Sequence, residues 1–426
     1  MGLHGRDGGG DPRAQLVPVG AGALPVAGVA LGQRFVLPGA SIADLTLAAT
    51  IGLGFVYLVR QAKTTGWPRL PRWTRWLAAL WAWAAAGGLV HVLSETETFS
   101  AAEFSKSLAK LTFYALGVIV LTLAVRAAAP PTPPRVVLIA FALAGAAAIV
   151  LYVAMLMKVP LPYQLLWGHG PDAAYFSDLW WYGGAHEARR IFLRGQGLTS
   201  EPSKLGYLQA MALAYLLLKP APRVRFGVGI LLILLSLMLT FSLTAYAMLV
   251  PILILAVFYR FQSGSFRIGR KALIAAAVTL LLVVPIAPTV YSTVVVRAMR
   301  SVTGTADTSS SLRVQGNWKM TYYLLETSPV VGVGLGNFDI VAWDLRAFIF
   351  QGYLIERETQ GWNVLAYVLA TTGLPGLILL LGMLVSAFRG RGRLFLPFML
   401  GMFADGTFLG AAYWVFLALY ATDSEG

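Results

Sequence analysis

The sequence predicts an all-α polytopic membrane protein of about 11 (10–12) transmembrane helices, with two long extracytoplasmic loops. Three observations predict it. Hydrophobic residues fill 58% of the 426 positions and charged residues only 12%, about half the share found in soluble domains. The apolar residues come in runs of about 20, the length that crosses the hydrocarbon core as a helix. Mean hydropathy is +0.70, with 44 glycines and 22 prolines, both commoner in membrane helices than in soluble ones. This composition excludes a soluble enzyme, a disordered chain and a fibre. The absence of cysteine excludes disulfides, thiolate metal sites and cysteine nucleophiles. Four histidines (His4, His91, His169, His186) leave little room for a metal cluster, so neither metal nor cofactor is expected.

In chain order, residues 1–19 are polar and Gly-rich and read as a flexible tail; residues 20–426 read as a single transmembrane domain. Spans fall at about 20–38, 41–59, 75–94, 107–125, 136–157, 203–218, 226–241, 243–259, 272–292, 363–388 and 395–420. The first carries Arg34 and two prolines. The last contains Asp405 and Gly406 and reads as one helix or as two half-helices.

Charge orients these spans. Arg60, Lys63, Arg69, Arg72 and Arg75 occupy one loop, and Arg126 and Arg135 the next loop on that side. Lys219, Arg223 and Arg225 follow, then Arg260, Arg267, Arg270 and Lys271, and finally Arg389, Arg391 and Arg393. With Arg6 and Arg13, more than half of the 33 positives share one side, which the positive-inside rule makes cytoplasmic. The net charge of +14 therefore reads as membrane orientation, and no nucleic-acid partner is expected. The other side carries Glu95, Glu97 and Glu103, with long connections at about 158–202 and 293–362. Long connections are often functional, so the working surface is expected there.

The first connection ends in Arg189-Arg190-Ile-Phe-Leu-Arg194, followed by Ser200-Glu201-Pro202-Ser203. Three arginines stand before a membrane helix where positives are scarce, and the guanidinium fork matches phosphate oxygens. Snorkelling, or pairing with Asp178 and Glu187, is the plain alternative. Glu201 is a candidate general base for a sugar hydroxyl. Helix capping by Ser200, Glu201 and Pro202 explains the same residues without catalysis.

The second connection holds Arg313, Trp318 and Tyr322, spaced near one helical face, where rings would stack on sugar and the fork would hold phosphate. An interfacial amphipathic helix is the alternative. Gly332-Val-Gly334-Leu-Gly336 is neither a Walker loop nor a dinucleotide fingerprint. The polar turn Thr240-Phe241-Ser242-Leu243-Thr244 lies on the same outer side. There it permits close approach of a substrate or of a neighbouring helix.

The order of these parts resembles the O-antigen ligase/polymerase superfamily, its Wzy-type polysaccharide polymerases in particular. The carrying motifs are Arg194-x-x-Gly197-x-x-x-Glu201-Pro202-Ser203, the polar turn, Ser310-x-x-Arg313-x-x-x-x-Trp318, and Pro329-x-x-Gly332-x-Gly334-x-Gly336-x-Phe338. Asn363 ahead of Thr372-Gly373-Leu374-Pro375-Gly376 completes the set. The likeness covers about residues 40–390 in layout, its specific motifs only about 60 residues.

The resemblance implies a metal-independent, GT-C-like glycosyltransferase of the bacterial inner membrane, acting at the extracytoplasmic side on glycans carried by undecaprenyl diphosphate. The bilayer and a chain-length regulator are the other partners it implies. It implies Arg194 and Arg313 as the diphosphate-binding pair and Glu201 as base. Arg189, Arg190, Ser203, Trp318, Tyr322 and Asn363 become substrate contacts. Ligases of this superfamily carry His-Asn where this chain has Trp362-Asn363, and commonly Ser-Arg where it has Ser242-Leu243. Both departures point to a polymerase before a ligase. A transporter or flippase of lipid-linked glycans is the rival class; it requires ionisable residues deep in the spans, and only Asp44 and Asp405 qualify among the acids.

Overall fold

Caps, prolines and glycines decide where the apolar runs become helices. A computed structural model describes residues 23–30, 35–37, 40–127, 132–157, 159, 199, 202–218, 227–262, 317–338, 340–341, 363–390, 392–404 and 408–422. Its helices are α1 (23–30), α2 (Ile42–Thr65), α3 (Trp73–Leu93), α4 (Ala101–Ala127), α5 (Thr132–Leu156) and α6 (Pro202–Leu218). They continue with α7 (Gly227–Leu239), α8 (Leu243–Gln262), α9 (Asn317–Thr327), α10 (Val364–Ala387), α11 (Gly392–Ala404) and α12 (Ala411–Ala421).

Five of these, α2, α3, α4, α5 and α10, are long and apolar enough to cross a membrane. Helix α2 starts on a capping box: Ser41 Oγ accepts from the Asp44 amide at 3.1 Å, and the Asp44 carboxylate accepts from the Ser41 amide at 2.9 Å. It stops at Gly66, whose φ of 82° lies outside the helix range.

The expected first span, 20–38, is not one helix. Helix α1 is about 12 Å long, and Phe35–Leu37 pairs antiparallel with Ala40–Ser41. Pro38-Gly39, standing between those strands in the sequence, is turn chemistry rather than helix chemistry. The expected spans 203–218, 226–241 and 243–259 correspond to α6, α7 and α8, whereas 272–292 lies outside the described residues. The expected last span is two half-helices, the 13-residue α11 and the 11-residue α12. At about 20 and 17 Å, each is shorter than a ~30 Å hydrocarbon core.

Directions follow from the contacts. Helices α3 and α4 run antiparallel, with Gly88 on Phe104 and Trp81 Nε1 donating to Thr112 Oγ1 at 2.8 Å. Helices α3 and α10 also run antiparallel, with Gly382 on Trp76 and Trp83 Nε1 donating to the Thr372 carbonyl at 2.8 Å. Helix α2 runs parallel to α4: Tyr114 donates to Asp44 at 2.7 Å, and Gly117 faces Leu47. These pairings gather Arg60, Lys63, Arg69, Arg72, Arg75, Arg126 and Arg389 at one end, the basic end. Glu95, Glu97 and Glu103 stand at the opposite, acidic end.

The core centres on α12, every residue of which is buried. It packs against α2, α4, α6 and α11, while α6 packs against α5, α7, α8 and α11. Tyr420 reaches from the end of α12 to the Met211 carbonyl and stacks on Tyr215. A buried tyrosine hydroxyl needs such a partner, because unpaired it costs about 1–3 kcal/mol.

Candidate functional site

Helix α10 is broken in the middle, and the break is what the glycine-rich segment recognises. Gly373 has φ 69° and ψ −173°, and Pro375 follows it inside the helix. An unbroken helix would have the Leu374 amide donate to the Ala370 carbonyl. Instead it donates to the Pro329 carbonyl at 3.0 Å, and Ala370 accepts from the Val333 amide at 2.9 Å. Pro375 has no amide to give Thr371, whose carbonyl accepts from Gly334 at 3.0 Å. Trp83 supplies the Thr372 carbonyl. Every carbonyl freed by the break thus has a partner, the condition for non-helical backbone at membrane depth.

The segment Pro329–Phe338 therefore forms a clasp around α10. Gly332, Gly334 and Gly336 have φ of 67°, 86° and 78°, the left-handed region that glycine adopts freely. They also stand too close to their neighbours for a Cβ. One on Gly332 would lie 2.5–2.6 Å from the backbone of Ala370–Thr372, and one on Gly334 2.6 Å from the Phe99 ring. One on Gly336 would meet Ser107 and the Glu103 carbonyl.

Side chains lock the far side. Asn337 Oδ1 accepts from the Ser100 amide at 2.6 Å, and its Nδ2 donates to the Ser100 and Leu335 carbonyls. His91 Nε2 lies 2.8 Å from the Gly332 carbonyl, which only accepts, so Nε2 carries the proton there. His91 also stacks on Phe99 with ring centroids 5.1 Å apart. Ser328 Oγ donates to the Gly332 carbonyl at 2.7 Å.

The clasp's amides answer the glycine motif's ambiguity. Those of Gly332, Val333, Gly334 and Asn337 donate to protein carbonyls, and that of Gly336 lies 3.4 Å from the Tyr367 hydroxyl. They join helices and do not form an open nest for an anion.

The clasp meets the half-helix hairpin at Tyr367. Its ring lies 5.8 Å from Phe338 of the clasp and 6.4 Å from Phe408, in the turn between α11 and α12. Below Phe408, Trp414 Nε1 donates to the Phe408 carbonyl at 2.8 Å. An element entering from the acidic end and one entering from the basic end thus abut on one tyrosine.

The expected site residues divide between described and undescribed positions. Arg189, Arg190, Arg194, Glu201 and Arg313 lie outside the described residues. Ser203 lies half-buried in the first turn of α6. Three residues on, a Cβ at Gly206 would lie 2.5 Å from Ala245 and 3.1 Å from Thr240 Oγ1, so the start of α6 and the polar turn come together. In that turn Thr240 and Ser242 are buried, and Ser242 Oγ accepts from the Ala245 amide at 3.4 Å. Trp318 is half-buried against the core, while Tyr322, one turn on, is 68% exposed. Asn363, 2% exposed, caps α10: its Oδ1 accepts from the Leu365 and Ala366 amides at 3.0 and 3.1 Å. Thr321 Oγ1 donates to the Ala366 carbonyl at 3.2 Å, fixing α9 on that first turn.

Sequence reasoning passed over several residues that matter here. His91, Trp83 and Asn337 build the joint, but nothing local in the sequence ties His91 to Gly332, Trp83 to Thr372 or Asn337 to Ser100, each more than 200 residues away. Lys110 was passed over as well. The pairings of Phe104 with Gly88 and Thr112 with Trp81 put it level with the middle of α3. It makes no ion pair among the described residues. A cation at the helix centre costs roughly 2.5–3.5 kcal/mol, which marks Lys110 as a functional candidate.

A family model described as O-antigen ligase matches residues 228–381. The matched stretch, just over a third of the chain, runs from α7 through the polar turn, α9 and the clasp to beyond the break in α10, so the clasp and its broken partner helix both fall inside it. The resemblance to the O-antigen ligase/polymerase superfamily is thereby borne out. No curated protein matches the chain.

Proposed function

We propose that the protein is a glycosyltransferase that polymerises lipid-linked oligosaccharide repeat units, transferring glycan from undecaprenyl diphosphate to a sugar hydroxyl. The observation that carries this reading is the similarity of residues 228–381 to the O-antigen ligase family, in a helical bundle with five helices long and apolar enough to cross a membrane. The enzyme sits in the bacterial inner membrane and works at the acidic end, which the Lys/Arg bias assigns to the extracytoplasmic side. The charge count puts the long segments bearing Arg189, Arg190, Arg194, Glu201 and Arg313 on that side as well.

In the proposed reaction the anomeric C–O bond to the diphosphate breaks as the acceptor oxygen forms its bond to the same carbon. Arg194 and Arg313 hold the departing diphosphate and stabilise its charge. Glu201 takes the acceptor proton. Arg189, Arg190, Ser203, Trp318 and Tyr322 line the donor and acceptor. Asn363 has committed its oxygen to the cap of α10, so it offers substrate only its amide N–H donors. The clasp and the Thr321–Ala366 contact hold α9 at a fixed place on α10.

Ligation to a lipid A core or protein acceptor is the second reading, favoured by the description of the matched family. A transporter or flippase calls for ionisable residues deep in the spans; of the two acids there, Asp44 is committed to its capping box and to Tyr114, and Asp405 lies outside the described residues.

The test is to substitute Arg194→Ala, Arg313→Ala and Glu201→Gln singly, verify membrane expression, and examine polymer ladders. Loss of long polymer in each variant is expected; full ladders in all three overturn the reading. Transfer by purified protein onto a core acceptor, without chain growth, would establish ligation instead.

A further inference from the structure

The link between α2 and α3 is built unlike a solvated loop. It reads Gly66-Trp67-Pro68-Arg69-Leu70-Pro71-Arg72, and α3 opens Trp73-Thr74-Arg75-Trp76. Trp67 is 71% exposed, Leu70 59% and Trp76 41%. Arg69, Arg72 and Arg75 are exposed as well, and none makes an ion pair among the described residues. No Asp or Glu occurs anywhere between Asp44 and Glu95, so neither flanking helix supplies a counter-charge.

The stretch is also held in shape. Pro68 and Pro71 fix two backbone φ angles, and Thr74 donates to the Pro71 carbonyl through its amide at 3.0 Å and its hydroxyl at 2.6 Å. The buried Trp73 ties the first turn of α3 into the core. Exposed rings and an aliphatic side chain alternating with arginines, on a rigid link joining two membrane-crossing helices, match the chemistry of a bilayer interface. Apolar groups enter the acyl boundary, and planar guanidinium forks meet phosphate.

We propose that residues 66–76 form a collar that binds the headgroups of anionic phospholipids in the leaflet at the basic end. The arginines select negative headgroups, while Trp67 and Leu70 anchor the link at the depth where those phosphates lie. The charge complementarity decides the occupant, since zwitterionic lipid would leave the three arginines without net counter-charge. This inference rests on the membrane-embedded bundle alone and is independent of glycosyl transfer.

The full chain is reconstituted with phosphatidylcholine alone or with one quarter phosphatidylglycerol, re-extracted gently, and its retained lipid measured by native mass spectrometry. Wild type is expected to retain phosphatidylglycerol in excess of its share of the bilayer. R69Q/R72Q/R75Q is expected to lose that enrichment on the order of tenfold. R126Q/R135Q, which neutralises basic-end arginines outside the collar, is expected to keep it. W67S/L70S is expected to retain less of both lipids, with the preference for phosphatidylglycerol intact.

No enrichment in wild type, or equal loss in R126Q/R135Q, overturns the proposal. So does a triple variant that melts like wild type and still retains phosphatidylglycerol. Should the triple variant fail to fold, wild type in rising salt replaces it, and enrichment that does not weaken with salt overturns the proposal.

Discussion

Gly373 is the residue on which the site's architecture turns. Its φ of 69° lies where an L-residue pays about 1–2 kcal/mol, and a Cβ would strike the carbonyls of Val330 and Pro329, which are backbone and cannot rotate away. Gly373→Ala is therefore expected to destabilise the protein by on the order of 3 kcal/mol, read as a lowered thermal midpoint in detergent. Gly392, with open space around its Cβ position, is the control, and Gly392→Ala is expected to leave the midpoint near that of wild type. His91 acts on the same joint from α3. His91→Ala removes one of the two donors to the Gly332 carbonyl and leaves Ser328 Oγ on it, so the expected cost is that of one net hydrogen bond, about 0.5–1.5 kcal/mol, read as a lowered midpoint. A midpoint unchanged in His91→Ala would mean that Ser328 alone satisfies the Gly332 carbonyl.

Among the elements, α10 shows what the sequence disclosed and what it withheld. Thr372-Gly373-Leu374-Pro375-Gly376 and the alternate glycines 332, 334 and 336 were both legible as motifs, because glycine and proline announce unusual backbone locally. That each motif completes the other's hydrogen bonds was not legible, since the pairing is a long-range register that no local signal encodes. The same limit applies to 20–38: length and apolarity read as a span, while Phe35–Leu37 pairs back on Ala40–Ser41 as two short strands. For Asn363 the sequence offered a substrate contact, and the structure adds a cap at the head of α10. Asn363→Ala is expected to cost about 0.5–2 kcal/mol in thermal stability, whereas Asn363→Asp retains the acceptor and most of the stability. Activity lost in Asn363→Asp at wild-type stability would assign the amide nitrogen a role with substrate.

For the whole molecule, hydropathy and loop charge made the membrane class plain before any contact was known, whereas the sides of the half-helix hairpin depended on packing. Because α11 leaves the basic end and Phe398 touches both Tyr413 and Tyr420, α12 returns alongside it. Tyr420 lies 6.4 Å from Phe388, at the basic end of α10. The last turn of α12 therefore lies at the basic end, with Phe408 buried at the far end of the pair beneath the clasp. The absence of cysteine makes this directly measurable, since any introduced thiol is the only one to react. In intact inverted and right-side-out vesicles, Thr64→Cys and Ser424→Cys, two residues past the buried Thr422, are expected to react with an impermeant maleimide from the same side. Glu97→Cys is expected to react from the other. A Ser424 thiol that labels together with Glu97→Cys would break the hairpin and, with it, the meeting of two half-depth elements at Tyr367.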